Sequence, residues 1–388
     1  MTLININSIP SPGTYVFEST SGYVPFAFAD HACCYMVGTS ATGSINTPTL
    51  VISADDFTNQ FGVSPSLPYV KLFFANDPSG RLFFVRATAA NANEPTRAEF
   101  LAAINNAFQP EDQQGFLICP QAFAQLSSAA DKLAISVAMK DVAENEDYNW
   151  VALIDASLGS TTVASLETEF EDVTSARGNV AVFAPWLVTV DNVQVPPSAA
   201  VAGLACRRFR IEGFYQPPAG ITYALRGVTG LVKEFSKIEQ DVLNPQGINL
   251  VRRLRNAGVV VWGSRTKTAN QYFRFINQRV TFNVIARTLK DAFDGLIFYA
   301  VDGQGLLFLR IKETATQVMY RVWQAGGLYG RTPDEAFLVV CDESNNPAID
   351  LENGIVRVDL FGSPSPTLER LVNNLVRVPI GSISVLTS

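Results

Sequence analysis

Trp150-Val151-Ala152-Leu153-Ile154-Asp155 is an apolar run of strand length that closes on a carboxylate. It lacks polar alternation, so it reads as a strand covered on both faces. A turn at Ser157–Ser160 follows, and the spacing predicts a helix over Ser160–Ala176. Asn179–Val190 reads as the next strand, with Pro185 marking a bulge or a strand end. Upstream, Glu99–Phe108 sets Phe100, Leu101, Ile104 and Phe108 at helical spacing, and Ala129–Val142 reads as a second helix. Downstream, Ser198 is a candidate cap for a helix over Ala199–Arg207, and Val259-Val260-Val261-Trp262 reads as a last buried strand. Continuous apolar strands separated by helices predict an α/β layer with a largely parallel sheet.

The flanks differ from this layer. Residues 23–90 alternate short β-prone runs (Cys34–Gly38, Thr49–Ser53, Arg81–Ala87) with Gly, Ser, Thr and Pro turns. Leu72-Phe73-Phe74 fits either a hairpin strand or a helix end. The C-terminal third carries two apolar helical stripes: Val284, Ile285, Leu289, Ala292 and Phe293, then Ala315, Val318, Met319, Val322 and Trp323, closed by Gly326-Gly327. Strands are expected at Phe337–Cys341, Ile355–Phe361 and Val376–Ile380. Both termini read as extended arms. Thr14-Tyr15-Val16-Phe17-Glu18 follows Pro10, Pro12 and Gly13, and the tail Ser382–Ser388 is uncharged and β-prone, a liability unless something pairs with it. The overall class is therefore mixed α/β and α+β, multi-domain, with a β-rich N-terminal region and an α+β C-terminal domain.

Composition narrows the function. Of 388 residues, 47% are hydrophobic and only 17% charged, below the usual quarter or so. So few charges suit a surface covered by other subunits, and 26 Phe agree with interface cores. The net charge of −7 argues against a general nucleic-acid binder. No apolar run reaches the length of a membrane span, and the N-terminus lacks the pattern of an export signal. Charge is uneven: residues 250–388 hold 16 Lys and Arg against 12 Asp and Glu, and the preceding residues hold 13 against 24. Different faces for different partners would follow.

Little in the sequence calls for catalysis or a cofactor. His31 is the sole histidine, so at most one imidazole-dependent site exists. Its neighbours Asp30, Cys33 and Cys34 suggest a metal, but no second ligand cluster has suitable spacing; small buried thiols are the simpler reading. Five scattered cysteines, with Cys119, Cys206 and Cys341, suit reduced thiols rather than a disulfide framework. There is no phosphate-loop motif, and Gly303-Gln304-Gly305 lacks the third glycine of a dinucleotide fingerprint. The acidic pairs Asp55-Asp56, Asp334-Glu335 and Asp342-Glu343 sit in turn-like contexts. Such contexts suit solvated loops rather than a glycosidase pair.

Six segments, in order, resemble the contractile tail sheath protein family. Pro12-Gly13-Thr14-Tyr15-Val16-Phe17-Glu18 is similar to its N-terminal arm, and Phe183-Ala184-Pro185-Trp186 to a strand that ends in Pro-Trp. Pro196–Gly203, Leu243–Asn249, Val260–Thr266 and Gly327–Cys341 with Asp342-Glu343 resemble four further family segments. Gly220, Phe214, Ser264 and the stretch Ser363–Arg377 depart from the family pattern.

The resemblance implies a structural subunit, not an enzyme, of a phage tail, a tailocin or another injection system. Hexameric rings would stack around an inner tube, and contraction would drive the tube through a target envelope. The implied partners are further copies of the chain, the inner tube protein, and baseplate and tail terminator proteins. No cofactor, nucleic acid or membrane insertion is implied. The implied location is the virion tail or injection particle, assembled in the bacterial cytoplasm.

The implied organisation is an arm over residues 1–22, a β-rich domain over 23–92, an α/β domain over 93–266 resembling subtilisin without its chemistry, an α+β domain over 267–368 and an arm over 369–388. Exchanged strands would carry Tyr15, Val16 and Phe17 at one end and Val376, Val378, Ile380, Ile383 and Val385 at the other. Proline-rich Ser8–Gly13 and Ser363–Pro366 would act as flexible joints. Arg274, Arg279, Arg287, Lys290, Lys312 and Arg321 are candidates to face the tube, although Arg287/Asp291 and Lys290/Asp294 are spaced to pair within the helix. A non-contractile scaffold and a subtilisin-like hydrolase are the competing readings.

Overall fold

The structure is a computed structural model, and it describes residues 26–87, 95–109 and 112–372. Strands β1 (Cys33–Thr39), β2 (Thr49–Val51), β3 (Arg81–Ala87), β4 (Phe116–Ile118), β5 (Val151–Asp155) and β6 (Val180–Ala184) join one eight-stranded sheet. Its last members are β10 (Ile248–Leu254) and β11 (Gly258–Val261), and its order is β11-β10-β6-β5-β4-β1-β3-β2. The six inner strands run parallel, and the two edges, β2 and β11, run antiparallel to their neighbours.

The apolar runs are explained by two cores on opposite faces. On β1, Cys34 and Met36 enter one core while Cys33, Tyr35 and Val37 enter the other. On β5, Val151 and Leu153 separate from Ala152 and Ile154 in the same way. The first face is covered by α2 (Leu67–Asn76), α7 (Ser198–Glu212) and the start of α9 (Ile276–Asp294). Helices α3 (Arg97–Asn106) and α5 (Ala129–Glu144) cover the second. Small residues let α7 lie close to α2: a Cβ on Gly203 would stand 2.5 Å from the Phe73 carbonyl oxygen. The Asp77 carboxylate, buried at the end of α2, is gripped by both terminal nitrogens of Arg210 on α7. Such a pair locks the helices together, because removing one partner leaves a buried charge.

Several expectations are corrected. The segment 23–92 does not form a β-rich domain of its own. It contains α1 (Ala54–Phe61) and α2, and its strands extend the central sheet, with β1 between β4 and β3. Leu72-Phe73-Phe74 is helical. The helix expected over Ser160–Ala176 shortens to α6 (Val163–Glu169), capped by Thr162 rather than begun at Ser160. The strand expected over Asn179–Val190 breaks at Pro185 into β6 and β7 (Leu187–Thr189). β7 leaves the main sheet and pairs with β8 (Gln194–Val195) and β9 (Val228–Leu231). Ser198 does not cap its helix; Pro197 holds the cap position and Ser198 is the first helical residue. The short α4 (Pro120–Gln125) and α8 (Lys237–Leu243) complete the layer.

The C-terminal part packs on the same body. Helix α9 spans two cores: Ile276, Val280 and Val284 belong to the first face of the main sheet, and Ile285 and Leu289 to a separate cluster. The latter is built with Ala315, Val318, Met319 and Val322 of α10 (Leu306–Gln324). This cluster also covers one face of a two-stranded antiparallel sheet, β12 (Phe337–Val340) with β13 (Asp359–Gly362). β13 starts later than the strand expected from Ile355. The strand expected at Val376–Ile380 lies outside the described residues.

Candidate functional site

A doubly covered parallel sheet binds ligands, where it does, beyond the carboxyl ends of its strands at the point where strand order reverses. Here that point lies between β1 and β4, and side chains fill it. The Gln121 Oε1 accepts from the Thr39 amide at 2.7 Å and from the Ser66 hydroxyl at 2.7 Å, and the Gln121 amide donates to the Thr39 hydroxyl at 2.6 Å. The next strand end is closed by a helix cap. Asp155, fully buried, accepts from the Ser198 amide at 2.7 Å and from its hydroxyl at 2.6 Å. Burial pushes the Asp155 carboxyl up to about 7, against these two bonds, which favour the charged form.

His31 is buried between the rings of Phe116 and Phe209, at 5.3 and 6.4 Å. Among the described residues neither ring nitrogen has a hydrogen-bond partner, so the imidazole is not coupled there to a serine or a carboxylate as a triad requires. Burial drives it down to about 4 and keeps it neutral. Cys33 and Cys34 point to opposite cores, and all five cysteines are free and buried. Among the described residues no group of three or more His, Cys, Asp or Glu side chains is placed to hold a metal. No described helix is long and apolar enough to cross a membrane.

The candidate tube-facing residues separate on inspection. Arg279 is buried, with its guanidinium 4.3 Å from the Phe273 ring and a bond to the Arg177 carbonyl, so it is unavailable to a partner. Arg287 pairs with Asp291 at 2.9 Å. Lys312 lies 3.6 Å from Asp342, and Arg321 lies over the Phe26 ring at 4.7 Å. Arg274, Lys290 and Arg321 are exposed. Of the six, these three and Lys312 keep a cation accessible.

The strand-exchange candidates Tyr15, Val16, Phe17, Val376, Val378, Ile380, Ile383 and Val385 lie outside the described residues. Their approaches do not. The expected joint at Ser363–Pro366 is pinned. The Asn277 amide donates to the Ser365 carbonyl at 3.0 Å, the Ser365 amide to the Gly327 carbonyl at 3.0 Å, and the Tyr329 amide to the Ser363 carbonyl at 2.7 Å. Thr367 then donates to Asn277 at 2.7 Å. The segment ends in a two-pronged clamp: the Arg265 Nε donates to Glu369 at 2.9 Å, and Nη2 donates at 2.5 Å. Burial opposes the Glu369 charge, but the Arg265 bonds and charge outweigh it and hold the carboxyl below its ordinary value. Serine and proline composition does not loosen a stretch whose backbone is bonded on both sides, so 363–369 is held against the body.

The clamp is testable. A charge-assisted contact of this kind contributes roughly 1.5–3 kcal/mol. Glu369→Ala is expected to speed trypsin cleavage after the exposed Arg370 about tenfold or more, while the thermal midpoint of the whole chain stays put. Unchanged cleavage would remove the clamp from the description.

The strand-acceptor candidate is the β12–β13 sheet. Neither strand has a second ladder partner among the described residues. On the face away from α10, the directly paired Leu338 and Phe361 are 57% and 58% exposed. Two strands alone are marginally stable, and open apolar edges invite pairing. Sequence reasoning missed this acceptor; the signal was the apolar cross-strand pair, and the pairing that aligns it is nonlocal.

Comparisons place this geometry. Residues 93–267 match the phage tail sheath protein central domain. A tail sheath protein of Vibrio phage KVP40 is 27% identical over 189 residues, which is 48% of this chain. The chain spans about a quarter of that relative, 27% of its length. Among solved structures, the anti-feeding prophage helical sheath in its contracted state superposes with a TM-score of 0.75 at 23% identity, over 95% of this chain and 99% of that one. The sheath complex of the extracellular contractile injection system PVC, also contracted, gives 0.76 at 20% identity, over 95% and 98%. The central part of this chain is therefore similar to the phage tail sheath central domain, and its fold is that of solved contractile sheath subunits.

Proposed function

We propose that the chain is a structural subunit of a contractile sheath, linked to its neighbours by strand exchange. The observation that carries this reading is the β12–β13 sheet, two-stranded among the described residues, on a chain whose terminal segments are β-prone and nearly free of charge. An incoming arm would add main-chain hydrogen bonds worth roughly 0.5–1.5 kcal/mol each. Tyr15, Val16 and Phe17, or the tail residues from Val376 to Val385, would cover Leu338 and Phe361. The pinned segment 363–369 would fix where the C-terminal arm leaves the body.

In this function the subunits form hexameric rings stacked around an inner tube, with baseplate and terminator proteins at the ends. The particle is a phage tail or injection system assembled in the bacterial cytoplasm. The layer resembling subtilisin serves as a rigid body, its switch point filled and its histidine uncoupled. Arg274, Lys290, Lys312 and Arg321 are the cations left for charge-steered contact with the tube. Contraction would be driven by the lattice, with no nucleotide consumed.

Negative-stain microscopy of the full chain, expressed with its tube protein, tests the reading. Long helically striated tubes are expected. Closed shells would instead support the scaffold alternative.

A further inference from the structure

The turn joining α9 to α10 carries an aromatic group in an expensive position. Phe298 is fully exposed, at 103% of its reference area, and its backbone φ of 70° lies in the left-handed region. A bulky side chain is rarely found there, because its Cβ crowds the neighbouring backbone. Ile297 and Tyr299 beside it are also exposed, and the Arg310 guanidinium lies 5.4 Å over the Tyr299 ring. Arg310 has no ion pair among the described residues. Strain, apolar exposure and a stacked cation at one tip describe a knob without its socket.

A cleft of about 770 Å³ lies between α5 and the 157–172 stretch. Phe123, Leu133 and Phe170 line it, and its charged groups are Glu169 and Asp172 against one ammonium, Lys132. Lys132 is occupied with the Ser157 hydroxyl at 3.1 Å, and Glu169 with the Ser157 and Ser160 hydroxyls, both at 2.5 Å. Asp172 is exposed and has no partner among the described residues. We infer that the Phe298 knob of one copy seats in the α5–α6 cleft of a second copy, with Arg310 against Asp172. The charge asymmetry of the chain favours this pairing: the knob lies in the part carrying an excess of cations, and the cleft in the part carrying an excess of anions.

The test uses two full-length variants, Ile297→Cys, which keeps the Phe298 knob, and Ala164→Cys, with a short bismaleimide. The five native thiols are buried and stay silent. A covalent dimer is expected in the mixture and in neither variant alone. Adding Arg310→Glu to the first variant is expected to cut the yield roughly tenfold, and adding Asp172→Arg to the second should restore it. Three results would overturn the inference: no dimer in the mixture, a dimer of Ile297→Cys with itself, or equal yield when Ala164→Cys is replaced by Val63→Cys at the apolar groove beside α2. The assay reads pairs in solution, so failure of the chain to form tubes leaves it interpretable.

Discussion

Asp155→Ala is expected to lower the unfolding free energy by about 2–4 kcal/mol at neutral pH, read from the urea midpoint. The carboxylate satisfies both the first amide of α7 and the Ser198 hydroxyl, and no water reaches either. Alanine leaves two buried polar groups unpaired and a void where β5 meets α7. Asp155→Asn keeps the shape and isolates the charge. The native carboxyl titrates near 7 against an ordinary value of 3.8. Below about pH 4 both states hold the proton. As pH rises from 4 to 7 the unfolded chain releases it and the native chain does not, so stability falls across that window and is flat above it. The loss amounts to roughly 4 kcal/mol, and the asparagine variant is expected to lack it.

His31 is expected to impose the opposite slope. Its native value near 4 lies below the ordinary 6.5. Its contribution is complete above about pH 6.5 and is lost as pH falls toward 4, because the unfolded chain then takes up a proton that the native core refuses. The loss is roughly 3 kcal/mol. Over pH 4–6.5 the two groups oppose each other, so the native chain is expected to change little from these two sites. His31→Leu should expose the decline due to Asp155, and Asp155→Asn should expose the acid sensitivity due to His31. Leucine should cost little at pH 7, since the imidazole nitrogens have no partner to lose among the described residues. Parallel pH profiles for both variants and the parent would show that neither group is buried in the stated form.

Much of the layer was legible because its signals are local. A strand covered on both faces must read as an unbroken apolar run, and 151–155 and 180–184 do so. The α9 and α10 stripes are buried, apart from the partly covered Phe293 and Trp323 at their ends. Helix α1 also carries a local signal: Ser53 caps the Asp56 amide three residues on. Other features had no local signal. Ser198 looks like a cap, yet its hydroxyl turns to Asp155, 43 residues earlier in the chain. Ser363–Pro366 looks loose by composition, yet Asn277 and the 326–329 loop bind it. Arg279 looked like a surface cation, but stacking on Phe273 and a carbonyl from a distant loop hold it inside. The assignment of β1–β3 to the main sheet depends on strand order, which hydrophobic period does not encode.

Strand exchange makes one demand that no other reading of the chain shares: the body folds without its arm but does not assemble. The decisive measurement compares the full chain with a variant lacking residues 1–20, by sedimentation and negative-stain microscopy under identical conditions with the tube protein present. A folded, soluble monomer from the truncated chain, beside striated tubes from the full one, is the expected result. Tubes from the truncated chain would contradict linkage through the N-terminal arm.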